Sequence, residues 1–122
     1  MKFSNSTACP VAESLVILNN PWKFLIVRSL ANGPLRFGKL KEEVVGISPK
    51  VLTGCLNDLV EDGILTRTMY AEIPPRTEYE LTELGSGFIP VIMALARWGL
   101  KYQETNAARA KEAETAAADQ TV

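Results

Sequence analysis

The chain has no histidine. Imidazole general-base chemistry is therefore excluded, along with most zinc and iron site designs. Its 122 residues include two cysteines, Cys9 and Cys55, too few for a disulfide framework. No apolar run approaches the roughly 20 residues that cross a bilayer, so no membrane partner is expected. The opening residues Met1-Lys2-Phe3-Ser4-Asn5-Ser6 lack the apolar stretch of a secretory signal, and the expected compartment is the cytoplasm. No phosphate-binding glycine loop, Gly-x-Ser-x-Gly motif, metal-ligand cluster or dinucleotide fingerprint occurs. The expectation is a protein that is not an enzyme and carries neither metal nor cofactor. Excess positive charge is missing too: the net charge of −1 does not by itself advertise nucleic-acid binding.

What is present is an apolar content of 47%, enough for a real core in one domain plus trimmings. The charge is unevenly spread. Residues 1–41 carry Lys2, Lys23, Arg28, Arg36, Lys39 and Lys41 against one acid, Glu13. From Tyr102 onward, Glu104, Glu112, Glu114 and Asp119 outnumber Arg109 and Lys111. Such polarity permits a basic face on a neutral body, and equally a set of ordinary solvated charges.

Three prolines stand directly behind cap-forming residues, in Cys9-Pro10, Asn20-Pro21 and Ser48-Pro49. Proline suits the first helical position, where its missing N–H is not needed. Asn20 and Ser48 can accept from the free N–H groups of the first turn. Each pair predicts a helix start. The first helix is expected over residues 10–18, with Val11, Leu15 and Leu18 on one face. The second runs over residues 21–30, with Trp22, Ile26 and Leu30 in a stripe beside Leu25. Asn32-Gly33-Pro34 stops it. A third covers residues 37–44, with Phe37, Leu40 and Val44 inward and Lys39, Lys41, Glu42 and Glu43 in water. The fourth opens at Ser48 and closes at Gly63. Leu52, Leu56, Leu59 and Val60 form its apolar stripe. Lys50, Gly54 and Asn57 lie opposite, flanked by Val51 and Thr53.

Residues 64–70 and 77–81 read as strands. Leu65 and Met69 share one face of the first, and Thr66, Thr68 and Tyr70 the other. In the second, Tyr79 and Leu81 alternate with Glu78 and Glu80. Pro74 and Pro75 cannot donate to a ladder and mark the turn between the strands. Thr82 caps a last helix holding Leu84, Phe88, Val91, Ile92, Leu95 and Trp98. Pro90 is expected to kink that helix or delay its regular start. From Thr105 the residues are mostly Ala, Glu, Lys and Thr, without an apolar stripe. The expected organisation is a flexible N-terminus over residues 1–8, one domain over 9–104, and a frayed or disordered tail over 105–122.

Four helices, a hairpin and a helix make the element order of a winged helix-turn-helix with flanking helices, an α+β fold that is mostly α. Helices 37–44 and 48–60 would form the helix-turn-helix, and hairpin 64–81 the wing. In such modules the second helix enters the major groove of double-stranded DNA, its N-terminal part nearest the base edges. A winged helix can also serve protein–protein contact with no DNA role, and that alternative stays open on these residues alone.

In their order, Cys9-Pro10-Val11, Trp22-Lys23, Arg36-Phe37, Gly46-Ile47-Ser48, Leu52-Thr53, Glu61-Asp62-Gly63, Pro74-Pro75-Arg76, Glu78-Tyr79, Leu81-Thr82 and Trp98-Gly99 resemble the HxlR-type bacterial transcription regulators. The resemblance spans residues 9–99. It implies a sequence-specific DNA-binding regulator acting as a homodimer through its terminal helices, here near residues 10–18 and 88–102. The broad apolar stripe of the last helix fits an interface independently. A symmetric dimer would present two recognition helices to half-sites of a pseudo-palindromic operator about 34–36 Å apart. There are two departures. The family usually carries Gly-Gly-Lys before the tryptophan, where this chain has Asn19-Asn20-Pro21, a different helix start. After Leu52-Thr53 the family tends to carry glutamine-type residues, which can read adenine. Gly54 has no side chain to read a base, so the operator sequence does not carry over.

The candidate groove contacts are Lys50, Thr53 and Asn57, with Asn57 suited to an adenine edge. Ser48 either holds a phosphate at its helix N-terminus or simply caps the helix. Arg36, at the start of the helix-turn-helix, and Arg76, presented by Pro74-Pro75, are candidates for phosphate or the minor groove. Cys9 stands where helix N–H groups favour a thiolate. It is either a redox sensor, as the matching cysteine is in some relatives, or a small interface residue. Cys55 is expected in the core. Trp22 and Trp98 either line a ligand pocket or pack in core or interface. A redox or small-molecule signal is the expected input.

Overall fold

Each of the three cap–proline pairs opens a helix in the computed structural model, which describes residues 9–120. The flexible N-terminus expected over residues 1–8, and residues 121–122 of the expected tail, lie outside the described residues. Helix α1 spans Pro10–Ile17 and α2 spans Pro21–Ser29, followed by a 3-10 turn over Leu30–Asn32. A short strand β1, Leu35–Arg36, leads into α3, Phe37–Glu43. Then come α4 (Pro49–Glu61), β2 (Leu65–Tyr70), β3 (Arg76–Leu81), α5 (Glu83–Ser86) and α6 (Ile89–Gln120).

The caps are side-chain bonds. The Ala12 N–H donates to Cys9 Sγ at 3.4 Å, the Lys23 N–H to Asn20 Oδ1 at 3.1 Å, and the Val51 N–H to Ser48 Oγ at 3.2 Å. Each satisfies a first-turn donor that the helix itself leaves orphaned. Asn19-Asn20-Pro21, where the family has Gly-Gly-Lys, is therefore a working helix start. Between α3 and α4, Gly46 takes φ +90°, a conformation that favours glycine, and there the chain turns toward Ser48.

The strands form an antiparallel sheet in the order β1-β3-β2. Leu65 stands opposite Leu81, Arg67 opposite Tyr79, and Tyr70 opposite Arg76. Leu35 and Arg36 pair with Tyr79 and Glu78. The core is filled by Ile26 and Val27 from α2, Leu30 from the 3-10 turn, Leu40 from α3, Leu52, Leu56 and Leu59 from α4, and Leu65 from β2, all buried.

Some faces differ from expectation. On α1, Ala12 and the cap residue Leu18 are buried, whereas Val11 and Leu15 are exposed. On α4, Cys55 rather than Val60 completes the buried stripe. Met69 shares the alternation of Leu65 but sits far out on the hairpin and is exposed.

The wing is rooted at its base. The Thr82 hydroxyl donates to the Gly63 carbonyl at 2.6 Å, and the Gly85 N–H donates to the Thr82 hydroxyl oxygen at 3.0 Å. The Ile64 N–H donates to the Leu59 carbonyl at 2.9 Å, so the start of the hairpin hangs on the end of α4.

Pro90 delays the regular helix, as expected: α5 is one short turn, and α6 begins at Ile89 with Pro90 in its first turn. The tail is corrected. Helix continues through Gln120, beyond Thr105, because the Ala-, Glu- and Lys-rich segment has high helix propensity without needing an apolar stripe. One compact unit ends at Ile89, and the second, which begins at Pro90, is the rest of α6. Taken by itself, the second unit exposes Val91, Leu95, Trp98 and Tyr102. Their spacing puts them on one helical face, and the Trp98 and Tyr102 rings stack with centroids 5.5 Å apart.

Candidate nucleic-acid interface

Helix α4 has two unlike faces. Leu52, Cys55, Leu56 and Leu59 are buried, whereas Lys50, Val51, Thr53, Gly54 and Asn57 are exposed. Lys50 makes no ion pair among the described residues. A Cβ at Gly54 would meet nothing within 4 Å, so the middle of this face is open. The result is a helix with one bare polar side, of a size the major groove, about 12 Å wide, admits. Ser48 stands exposed at its N-terminus. Its hydroxyl oxygen is used by the Val51 N–H, and the hydroxyl proton stays free to donate.

The two candidate arginines, Arg76 of the wing and Arg36 of β1, are placed differently from each other. Arg76 folds back on its own hairpin. Its Nη2 lies 3.4 Å from Glu72 Oε1 and its Nε 3.6 Å from Glu78 Oε2. Its guanidinium covers the Tyr70 ring at 4.2 Å from the centroid. The tip is instead apolar, with Ile73 fully exposed beside Pro74 and Pro75. Arg36 is exposed at the end of β1, opposite Glu78 in the sheet register.

Arg67 is a polar anchor absent from the sequence candidates. From β2 it reaches α4, where Nη2 donates to Asn57 Oδ1. Its Nε donates to the Tyr79 hydroxyl at 3.3 Å. The available signal is parity. Position 67 lies on the same strand face as Leu65, facing Tyr79, and a charge there must exit at the rim of the packed side.

Behind α4 lies a second polar anchor. Lys23 is buried, and its ammonium meets Asp58 Oδ2 at 3.2 Å and the Ile17 carbonyl at 3.4 Å. One side chain thus ties the end of α1 and the start of α2 to α4. The Cys55 thiol donates to Asn20 Oδ1 at 3.9 Å in the same region. Burial pushes this thiol up; the Asn20 bond and Lys23 pull it down, and Asp58 adds to the rise. A thiol held protonated in the core is chemically quiet, which fits the expected core role. Cys9 is exposed. Trp22 is half-buried, and the open apolar depression between α1 and α2 is lined by Leu15, Leu18, Phe24 and Leu25 rather than by a tryptophan. Among the described residues there is no cluster of His, Cys, Asp and Glu able to hold a metal, and no helix long and apolar enough to cross a membrane.

The structure thus brings Ser48, Lys50, Thr53 and Asn57 together on one helix, keeps Arg36 on the edge of the sheet, and leaves Arg76 engaged with its own wing. The model of the HxlR-like helix-turn-helix family matches residues 17–107. An uncharacterised helix-turn-helix-type transcriptional regulator of Methanothermobacter thermautotrophicus is 37% identical over 94 residues, covering 77% of this chain and 72% of that one. A solved structure from Porphyromonas gingivalis, described as a MarR-family transcriptional regulator, has a TM-score of 0.74 and 37% identity, covering 77% of this chain and 92% of that one. The redox regulator HypR in its oxidised form has a TM-score of 0.71 and 32% identity, covering 76% of this chain and 96% of that one. All are described as regulators, none as an enzyme. The chain belongs to the HxlR family and is a DNA-binding transcription regulator.

Proposed function

We propose that this regulator binds a pseudo-palindromic operator as a homodimer, with α4 in the major groove and the β2–β3 wing on the adjacent backbone or minor groove. The observation that carries the proposal is the outer face of α4, where Lys50, Thr53 and Asn57 are exposed around an open Gly54. Lys50 serves phosphate or a guanine edge, and Thr53 offers a hydroxyl and a methyl to a base edge. Ser48 with the α4 N-terminus suits a phosphate. Arg36 serves the backbone from the sheet edge. Arg76 reaches DNA only by leaving Glu72 and Glu78.

Two apolar faces support the dimer. In one unit Val11, Leu15 and Val16 of α1 are exposed; in the other, Val91, Leu95, Trp98 and Tyr102 of α6 are. Apolar stripes of that extent are covered when a chain associates. A redox input is supported by exposed Cys9 and by the likeness to HypR, described as a redox regulator in oxidised and reduced forms.

Footprinting on the DNA flanking its own gene, with sedimentation at the same protein concentration, tests the proposal. The expected result is a dimer protecting two segments about 34–36 Å apart, or a whole number of helical turns. A monomer protecting one segment contradicts it. Diamide is expected to change DNA affinity in the wild type and not in Cys9→Ser; an unchanged wild type removes the redox input.

A further inference from the structure

Side chains alternate along β2, so Leu65 and Arg67 share the face that packs toward α4. Leu65 is buried there, and Arg67 emerges at the rim opposite buried Tyr79. Its guanidinium is held by the Tyr79 hydroxyl at 3.3 Å and lies 5.4 Å from the ring centroid. From that seat Nη2 meets the Asn57 side chain. A guanidinium only donates, so the amide atom facing it has to be Oδ1, and the orientation of Asn57 follows from chemistry. Arg67 has no ion-pair partner among the described residues, so its charge is not neutralised within the wing.

An asparagine that reads adenine uses both ends of its amide: Oδ1 accepts from N6 and Nδ2 donates to N7. Here Oδ1 is turned toward Arg67. What remains outward is a set of donors, the Asn57 Nδ2 and the unused N–H groups of Arg67. Guanine presents two acceptors, O6 and N7, on its major-groove edge, whereas adenine presents one acceptor and one donor. We propose that Arg67 is a specificity-determining residue of the DNA interface: paired with Asn57 it selects guanine at a base pair where Asn57 alone would select adenine. The proposal rests on α4 lying in the major groove.

The test is selection from a randomised double-stranded DNA pool by the full-length wild type, Asn57→Ala, Arg67→Ala and Arg67→Lys, each first checked for a native thermal transition. Asn57→Ala identifies the base pair concerned as the one whose preference it erases. The wild type is expected to favour guanine over adenine there by roughly five- to hundredfold, the discrimination of one good bidentate contact. Arg67→Ala is expected to favour adenine at that pair and leave the other positions unchanged. Arg67→Lys keeps the charge but loses the planar fork, and is expected to lose the guanine preference as well. A merely structural role would lower affinity for all sequences and leave the preference intact. Guanine retained in Arg67→Ala, or adenine already preferred by the wild type, overturns the inference alone. A wild type that enriches no sequence overturns the major-groove reading and the inference with it.

Discussion

Helix α4 and the wing both carry arginine or lysine, yet they hold that charge differently. Lys50 on α4 makes no ion pair among the described residues. Arg76 on the hairpin already has two carboxylates and a tyrosine ring. A cation counted on a surface is therefore not the same as a cation available to phosphate. Under the proposed binding mode Lys50 would exchange only water and counterions for DNA, whereas Arg76 would first have to give up its contacts with Glu72, Glu78 and Tyr70. The wing's own acids, Glu72, Glu78 and Glu80, also repel a phosphate backbone. The helix is left open and the far end of the wing is closed on itself, whereas Arg67 nearer the wing root keeps its charge unpaired among the described residues.

The largest expected effect breaks the joint between the two. A Cβ at Gly85 would lie 2.2 Å from the Ile64 carbonyl oxygen and 3.2 Å from its carbon, which are backbone atoms at the wing root. Gly85→Ala should cost about 1–3 kcal/mol or more by overpacking. A thermal melt should show a lowered Tm, with DNA binding lost alongside it. An unchanged Tm would show that the root is looser than described. A smaller change should make the wing resemble the helix. In Glu72→Gln with Glu78→Gln, Arg76 is released and two acids are neutralised. DNA affinity at low salt should rise, and the slope of log K against log salt should steepen by about one for each further phosphate that the wing neutralises. An unchanged slope would mean that Arg76 does not reach the backbone even when free.

The smallest effect follows the same contrast in the two thiols. Iodoacetamide at neutral pH should alkylate exposed Cys9 and spare buried Cys55, read by mass spectrometry of peptides. Because burial raises Cys55 in the folded state, the folded chain keeps its proton longer than the unfolded one. The associated stability is present below the ordinary thiol value of about 8.5 and is lost as pH rises through the folded value. Cys55→Ala should flatten that alkaline decline, measured as Tm against pH.

The legible parts of the fold are the local ones. Cys9-Pro10, Asn20-Pro21 and Ser48-Pro49 mark helix starts because a cap and its N–H lie three residues apart. The stripe of α4 is legible because burial repeats at helical spacing. The 3-10 turn and β1 are not: two residues have no period, and β1 exists only through its pairing with β3. The outward face of α4 can be read, but the partners of its polar groups cannot. Asn57 meets Arg67 and Asp58 meets Lys23 across tertiary contacts. Pro74 and Pro75 set off the turn and so mark Arg76 as a free wing cation. Its capture by Glu72 and Glu78 depends on how the hairpin closes, which strand alternation leaves open.

The most direct test of an open helix beside a self-paired wing is the salt dependence of DNA binding in Lys50→Ala and Arg76→Ala. Affinities for the chain's own operator would be measured across salt concentrations for both variants and the wild type. Lys50→Ala should weaken binding and reduce the slope of log K against log salt by about one for each phosphate no longer neutralised. Arg76→Ala should leave that slope at the wild-type value. A reduced slope in Arg76→Ala with a wild-type slope in Lys50→Ala would contradict the account, because the wing and not the helix would then carry the charge that DNA meets.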